Sequence, residues 1–468
     1  MAKGGWLDDD ACVARLVYVN GRFAPQLSKT TSFCKNMEAH DLNNPEIIKK
    51  LSRLTDGFTD ELAVGVPSGK SDELTSFKAL SKPNHCVGEA TSQFAINGQQ
   101  GTACFAALNT IKTGAVAYVQ YPKGTDSGVE FPLPLLLVNA ITKDCGADET
   151  VAPGVGVTCH PRALIVAEED SRLSVVQSIV DLDNESVTAI PKLYNGYTQF
   201  FIHGNANVTH AYLEETGGIV IGGTEVSDED LADGDIAPRT LEAARPALKD
   251  THLEAIDAQV MGNEGSFTST MISIGGSGRV RVALSVSLLR PGAYAGVNGF
   301  ALTGGAQRTD MKTNIHHMGQ RTISRQLQKN MIGGRATGSF RGRIRVEQSA
   351  QQTESQQISR TVLLSDRCRA WAVPSLEIVA DDVSCTHGAT VSDLSDEELF
   401  YLRSRGLSQA TARNMLMYAF AGDITQTVDP SMLGSVDSKM GLQRRIIERL
   451  ENLVPRGNRM VKGEFQSS

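Results

Sequence analysis

The chain has 468 residues, a formal net charge of −8, 41% apolar and 21% charged residues. That length implies two or three folding units, and that composition excludes wholesale disorder. There is no Lys/Arg-rich block to track a phosphate backbone and no run of 18 apolar residues to cross a bilayer, and the eight cysteines lack the dense spacing of a secreted disulfide framework.

Residues 1 to about 90 read as a mixed, partly helical lead-in. Leu16-Val-Tyr-Val-Asn-Gly-Arg-Phe23 is strand-like with an Asn-Gly turn, and Asn44-Pro-Glu-Ile-Ile-Lys-Lys-Leu-Ser-Arg-Leu54 is helical. The first ten residues carry acid where a targeting peptide wants basic and apolar residues, so an import address, if the protein has one, is expected to have been removed. Val64-Gly-Val-Pro-Ser-Gly-Lys-Ser71 imitates a P-loop. It lacks the glycine five residues before the Gly-Lys pair, so nucleotide binding is not expected there.

From 91 to 391 short alternating runs recur, each bounded by Gly, Asn or Asp. Examples are Leu173-Ser-Val-Val-Gln-Ser-Ile-Val180, Ser266-Phe-Thr-Ser-Thr-Met-Ile-Ser-Ile274, Arg279-Val-Arg-Val-Ala-Leu-Ser-Val-Ser-Leu288 and Arg341-Gly-Arg-Ile-Arg-Val346. Period-two alternation marks half-buried strands. A β-sandwich and a parallel solenoid both suit the pattern. Small residues before strands at Gly265, Ala293 and Ala350 suggest a stacked coil. Gly275-Gly-Ser-Gly278 has no helix after it and reads as a strand turn.

From 392 to 468 the pattern is helical. Ser395-Asp-Glu-Glu398 forms a capping box that opens a helix from Glu397 to Arg405, closed by Gly406. Ser408 caps a second, Gln409 to Ala421, which Gly422 is expected to end. A third begins near Lys439, with Leu442, Ile446, Leu450 and Leu453 on one face.

No zinc-type histidine pair, nucleophile elbow or Cys-x-x-Cys occurs. His316-His317 and Cys159-His160 are adjacent and diverge on a strand. In Ala380-Asp-Asp-Val-Ser-Cys-Thr-His-Gly-Ala-Thr390, period two puts Cys385 and His387 on one face, with Asp381 on the same parity. Thiolate and imidazole together make a soft-metal half-site that a second chain would have to complete. The plainer alternative is a buried small residue beside a strand-end hydrogen bonder. A β-helix carbohydrate-active enzyme, the remote alternative, would want paired carboxylates in a groove; Asp381 and Asp382 face opposite ways, and Glu377 and Asp381 share a parity but not a demonstrated groove.

Gly338-Ser-Phe-Arg-Gly-Arg-Ile-Arg-Val346, Ala350-Gln-Gln-Thr353, Gln356-Gln357, Leu363-Leu-Ser-Asp366, Pro374-Ser-Leu-Glu-Ile378, Cys385-Thr-His-Gly-Ala-Thr390 and Leu399-Phe-Tyr-Leu-Arg-Ser-Arg-Gly406 follow one another almost continuously. This stretch resembles the SufB/SufD family of iron–sulfur cluster assembly scaffolds, and within it the SufD branch. The SufB branch reads more like Glu-His-Glu-Ala-Thr in the same place, and Phe-Tyr-Cys where this chain has Phe400-Tyr401-Leu402. Weaker matches run back to Val17-Tyr-Val-Asn-Gly-Arg-Phe23. Asp310-Met-Lys-Thr313 departs from the family's His-rich run, keeping only His317, and Val373 replaces its usual lysine.

The resemblance implies a mainly β chain: a right-handed parallel β-helix core, a short partly helical N-terminal region and a C-terminal helical domain. It implies a non-catalytic scaffold subunit, paired through its β-helix with SufB, while the ATPase SufC supplies ATP hydrolysis and docks on the C-terminal helices. His387 and Cys385 are the implied interface and metal ligands for a transient iron–sulfur cluster or iron, with no permanently bound cofactor and no nucleic-acid or membrane partner. Phe400, Tyr401, Met415 and Phe420 are the candidate anchors for SufC. The expected setting is a soluble, reducing compartment, the plastid stroma in a eukaryote or the cytoplasm in a bacterium.

Overall fold

A computed structural model of the chain describes residues 12–38, 105–106, 108–109, 112–125, 134–142, 156–182, 191–216, 250–425 and 427–428. The 44–54 segment, the P-loop-like segment and the third C-terminal helix lie outside these residues.

The first strands are β1 (Ala14–Val19), β2 (Arg22–Phe23), β3 (Cys34–Glu38), β4 (Ala115–Tyr121) and β5 (Leu135–Ile141). After them come β6 (Val157–Cys159), β7 (Arg162–Ala167), β8 (Arg172–Asp181), β9 (Lys192–Ile202) and β10 (Asn207–Glu215). The next five are β11 (Thr251–Val260), β12 (Ser266–Ser273), β13 (Arg279–Leu288), β14 (Tyr294–Thr303) and β15 (Arg308–His317). The last are β16 (Ile323–Ile332), β17 (Thr337–Val346), β18 (Thr353–Leu363), β19 (Arg369–Ile378) and β20 (Val383–Ser392).

From β7 onward consecutive strands belong alternately to two sheets, and each pairs in parallel with the strand two places on. That connectivity is a parallel β-helix. It excludes the sandwich, because hairpin neighbours in a sandwich would pair antiparallel. One sheet runs β2-β1-β5-β8-β10-β12-β14-β16-β18-β20, and the other runs from β19 through the odd-numbered strands to β7, then β4 and β3. The solenoid therefore begins before residue 91. β1 pairs in parallel with β5, and the described part of the lead-in is mainly β structure with one short 3-10 helix at Pro25–Leu27. Its Asn-Gly pair behaves as the sequence suggests. Asn20 and Gly21 both have positive φ, 48° and 76°, and close the β1–β2 hairpin.

Inward residues stack in columns that bury each coil against the next. Ala258, Val286, Ile315 and Ile344 are aligned in register, all buried, and Leu376 extends the column at the last coil. Ser266 pairs with Tyr294, Tyr294 with Ile323 and Ile323 with Glu354, so the coil step is 28, then 29, then 31 residues. The lengthening explains a misplacement in the sequence reading. The residue stacked on Ala293 two coils further on is Thr353, reached through Thr322, whereas Ala350 sits three residues earlier in the same corner.

One corner repeats strictly. Asp170, Asn205, Glu264, Gly292, Arg321 and Gln352, one from each successive coil, all have positive φ, between 54° and 73°. Each donates its amide to a carbonyl of the next coil: Asp170 to Gly204, Asn205 to Asn263, Glu264 to Pro291, Gly292 to Gln320, Arg321 to Gln351 and Gln352 to Asp382.

Two helices follow, α1 (Asp396–Ser404) and α2 (Gln409–Thr425). Ser395 caps α1 by accepting from the Glu398 amide, and Ser408 accepts from the Thr411 amide at the start of α2. Gly422 does not end α2. Ala421 and Ile424 on either side of it are buried, and the helix continues because that face packs on the solenoid. Met417, Ala421, Ile424 and Val428 cover apolar residues on the outer face of the first sheet, including Ile272, Phe300 and Met331.

Candidate functional site at the open end of the solenoid

Among the described residues the last coil, β19 and β20, has no coil above it, so each of its strands ends a sheet. Among the described residues no strand lies beyond their outer edges, the arrangement that invites another chain to pair. Trp371, Val373, Ile378, Val379 and Val391, all in this coil, are 45–52% exposed.

Cys385 and His387 lie on β20 directly above Ser355 and Gln357 of β18. Ser355 and Gln357 are buried inward positions, so Cys385 and His387 occupy the mouth of the solenoid interior. Cys385 is half-buried and packs on the core, whereas His387 is exposed. Burial pushes the Cys385 thiol above its ordinary range, opposed by a hydrogen bond from the Ser355 backbone. That amide stabilises the thiolate, the form that binds metal or sulfur.

The other sequence candidates part company. Asp381 precedes β20 in a turn, so strand parity does not apply to it, and it accepts from Gln348 at 3.3 Å. Glu377 is gripped by Arg343 through Nε at 2.9 Å and Nη2 at 2.5 Å, so its carboxylate is engaged in an ion pair and not set opposite Asp381 as glycoside chemistry would want. His316 bonds Glu347 at 2.7 Å and holds that carboxyl down to about 2. His317, 0% exposed, bonds Thr322 and Ser324 instead. Cys159 is buried, its thiol pushed up to about 12, far from a reactive range. Among the described residues no three His, Cys, Asp or Glu side chains gather as a metal cage.

The helical anchors also separate. Phe400 and Tyr401 on α1 are 72% and 57% exposed. Met415 is half-buried. Phe420 packs on its own solenoid, with the Lys329 ammonium 4.3 Å from its ring centre, so an intramolecular contact occupies it. Among the residues around the mouth, the sequence reading assigned nothing to Ser355, Gln357 or Gln326. The Gln356-Gln357 pair was visible, but only the 30-residue coil step from Gln357 to His387 shows which of the two lies beneath the histidine.

The family model for the SUF system FeS cluster assembly SufBD core domain matches residues 150–420, more than half of the chain. An iron–sulfur cluster assembly SufBD family protein of Synechocystis is 24% identical over 90% of this chain and 75% of its own length. The chloroplastic protein ABCI7 of Arabidopsis thaliana is 27% identical over 82% of this chain and 72% of its own. The iron–sulfur cluster assembly protein SufD of Escherichia coli is 34% identical over a shorter stretch, 35% of this chain and 36% of that protein. Among the described residues no helix is long and apolar enough to cross a membrane.

Proposed function

The chain belongs to the SufBD family of iron–sulfur cluster assembly proteins, and from that premise we propose that it acts as the SufD-type scaffold subunit. It pairs with SufB through the open end of its β-helix and holds SufC on its C-terminal helices. The observation that carries the reading is the last coil. Two open sheet edges and an exposed apolar group lie beside a thiol and an imidazole at the mouth of the interior. A sister strand that extends the sheets would bring its own ligands over Cys385 and His387 and complete a site that neither chain completes alone.

The chain's own chemistry at that site is ligation rather than turnover. Neutral imidazole and thiolate are the competent donors for iron and sulfide, which are cargo and not a resident cofactor. ATP hydrolysis falls to SufC, with Phe400 and Tyr401 as the exposed anchors on this side. The setting is a reducing one, plastid stroma or bacterial cytoplasm according to source.

The test is His387→Ala in the complex with SufB and SufC. The complex is expected to elute intact from a sizing column while its iron and acid-labile sulfide content falls sharply. Unchanged cluster yield removes the site assignment. Phe400→Ala with Tyr401→Ala is expected to lose SufC from the complex, and retention of SufC removes the docking assignment.

A further inference from the structure

Toward its open end the interior of the solenoid turns from apolar to polar. Along one column Ala295 is followed by Ser324, Ser355 and Cys385, and along the next Val297 by Gln326, Gln357 and His387. The second column is tied together by side-chain amides. Gln357 Nε2 donates to Gln326 Oε1 at 2.6 Å, and Gln326 Nε2 donates to Thr313 Oγ1 at 2.5 Å.

Gln357 is 0% exposed, yet its Oε1 has no donor. Buried acceptors are almost always satisfied. Room for this amide is kept by Gly342 on the facing sheet, where a Cβ would stand 2.1 Å from Gln357 Nε2. The residue directly above in register is His387, one strand spacing of about 4.8 Å away. The His387 imidazole has no hydrogen-bond partner among the described residues. An orphan acceptor and an unpartnered ring therefore belong to residues stacked in register at the mouth.

We infer that Gln357 is the positioning residue for His387, accepting one ring N–H through Oε1 so that the other ring nitrogen is left unprotonated and turned toward incoming iron. The inference rests on the reading of His387 as a ligand. Metal-binding histidines commonly give their second N–H to such a partner, which sets the tautomer and the ring orientation. β18 then supports both donors of β20: the Ser355 amide under the Cys385 sulfur and the Gln357 carbonyl under the His387 ring.

The experiment titrates the full-length chain, in complex with SufB and SufC, with Co(II), whose visible absorption reports nitrogen and thiolate ligation. Gln357→Met removes the acceptor at similar volume, and Gln357→Glu restores it. Gln357→Met is expected to weaken Co(II) binding about ten- to a hundred-fold, and Gln357→Glu to recover most of the loss. Parent-like binding by Gln357→Met overturns the inference. The His387→Ala control separates the two claims. If it binds Co(II) as the parent does, the ligand reading fails; if it loses binding while Gln357→Met keeps it, only the role of Gln357 falls. Should Gln357→Met misfold, nitrogen NMR of the Zn(II)-loaded parent decides. A single His387 tautomer with a slowly exchanging ring N–H supports the inference, and a freely exchanging ring overturns it.

Discussion

The amide of Gln352 donates to the carbonyl of Asp382 at 2.6 Å, the last of the corner bonds that tie each coil to the next. Residues with side chains occupy left-handed backbone at most steps of this corner, at a cost of about 1–2 kcal/mol each, and the same residues make the inter-coil bond. A β-branched side chain tolerates this backbone worst, and Asn tolerates it best. Arg321, with φ of 54°, is the convenient test. Arg321→Val is expected to lower stability by roughly 2 kcal/mol, whereas Arg321→Asn leaves it unchanged or slightly raised. Urea unfolding of the two variants checks this.

A second prediction concerns how α2 is held. Lys329 projects from the outer face of β16, its side chain only 2% exposed, and donates to the Phe420 carbonyl at 2.9 Å and to the Asp423 carboxylate. Asp423 is largely in solvent, so the ion pair itself adds little. The buried hydrogen bond and the ring contact carry the effect. Lys329→Met is expected to lower the local stability of α2 by about 1–3 kcal/mol and to leave the strands beneath it unaffected. Hydrogen exchange reads this directly, as faster α2 amides over unchanged β14 amides. Equal protection in both chains removes the claim.

Much of this architecture is legible in the amino-acid sequence. The strand runs and the Asn20-Gly21 turn follow from local chemistry that period two and positive φ make visible. Ser395 and Glu398 announced α1 in the same way. What escaped was set by distant partners. Gly422 looked like a helix stop, and the packing of Ala421 and Ile424 carried the helix through it. Phe420 looked like a partner anchor, and Lys329, ninety-one positions earlier, holds it. Cys385 and His387 could be paired by parity, but the support beneath them depends on a coil step that drifts from 28 to 31 residues. No fixed repeat would have found Gln357.

The exposed apolar group gives a third prediction. Trp371 and Val373 lie on the outer face of β19 at 52% and 50% exposure and make no core contact the solenoid needs. Glutamate at both positions is expected to leave the melting temperature of the isolated chain within a few degrees. It should also suppress self-association of the open edges and prevent pairing with SufB, because charge beside an edge strand opposes strand addition. A sizing column resolves these species. A double variant that still forms the heterodimer shows that the contact lies away from β19.

The fourth prediction is a pH dependence set inside the solenoid. Glu254 is 2% exposed, and its Oε1 accepts from Gln177 at 3.2 Å and Thr198 at 3.0 Å. Burial raises its pKa from 4.5 to about 8, against the opposing pull of those hydrogen bonds. The folded chain thus keeps a proton that the unfolded chain releases, and stability present below 4.5 is lost as pH rises through 8. The buried histidines act in the other direction. Burial lowers His210 to about 3 and His252 to about 4 from an ordinary 6.5, so below 6.5 the unfolded chain binds protons that the folded chain refuses. Stability should therefore rise toward pH 6.5 and fall above it, and the interval up to 8 isolates Glu254. Glu254→Gln, which mimics the neutral acid, is expected to flatten the upper limb, by an amount on the order of a few kcal/mol at pH 9. Denaturant midpoints at pH 6.5 and pH 9 for both chains make the comparison. An identical fall in the two would mean that Glu254 is already ionised in the folded chain, with its charge met by groups other than Gln177 and Thr198.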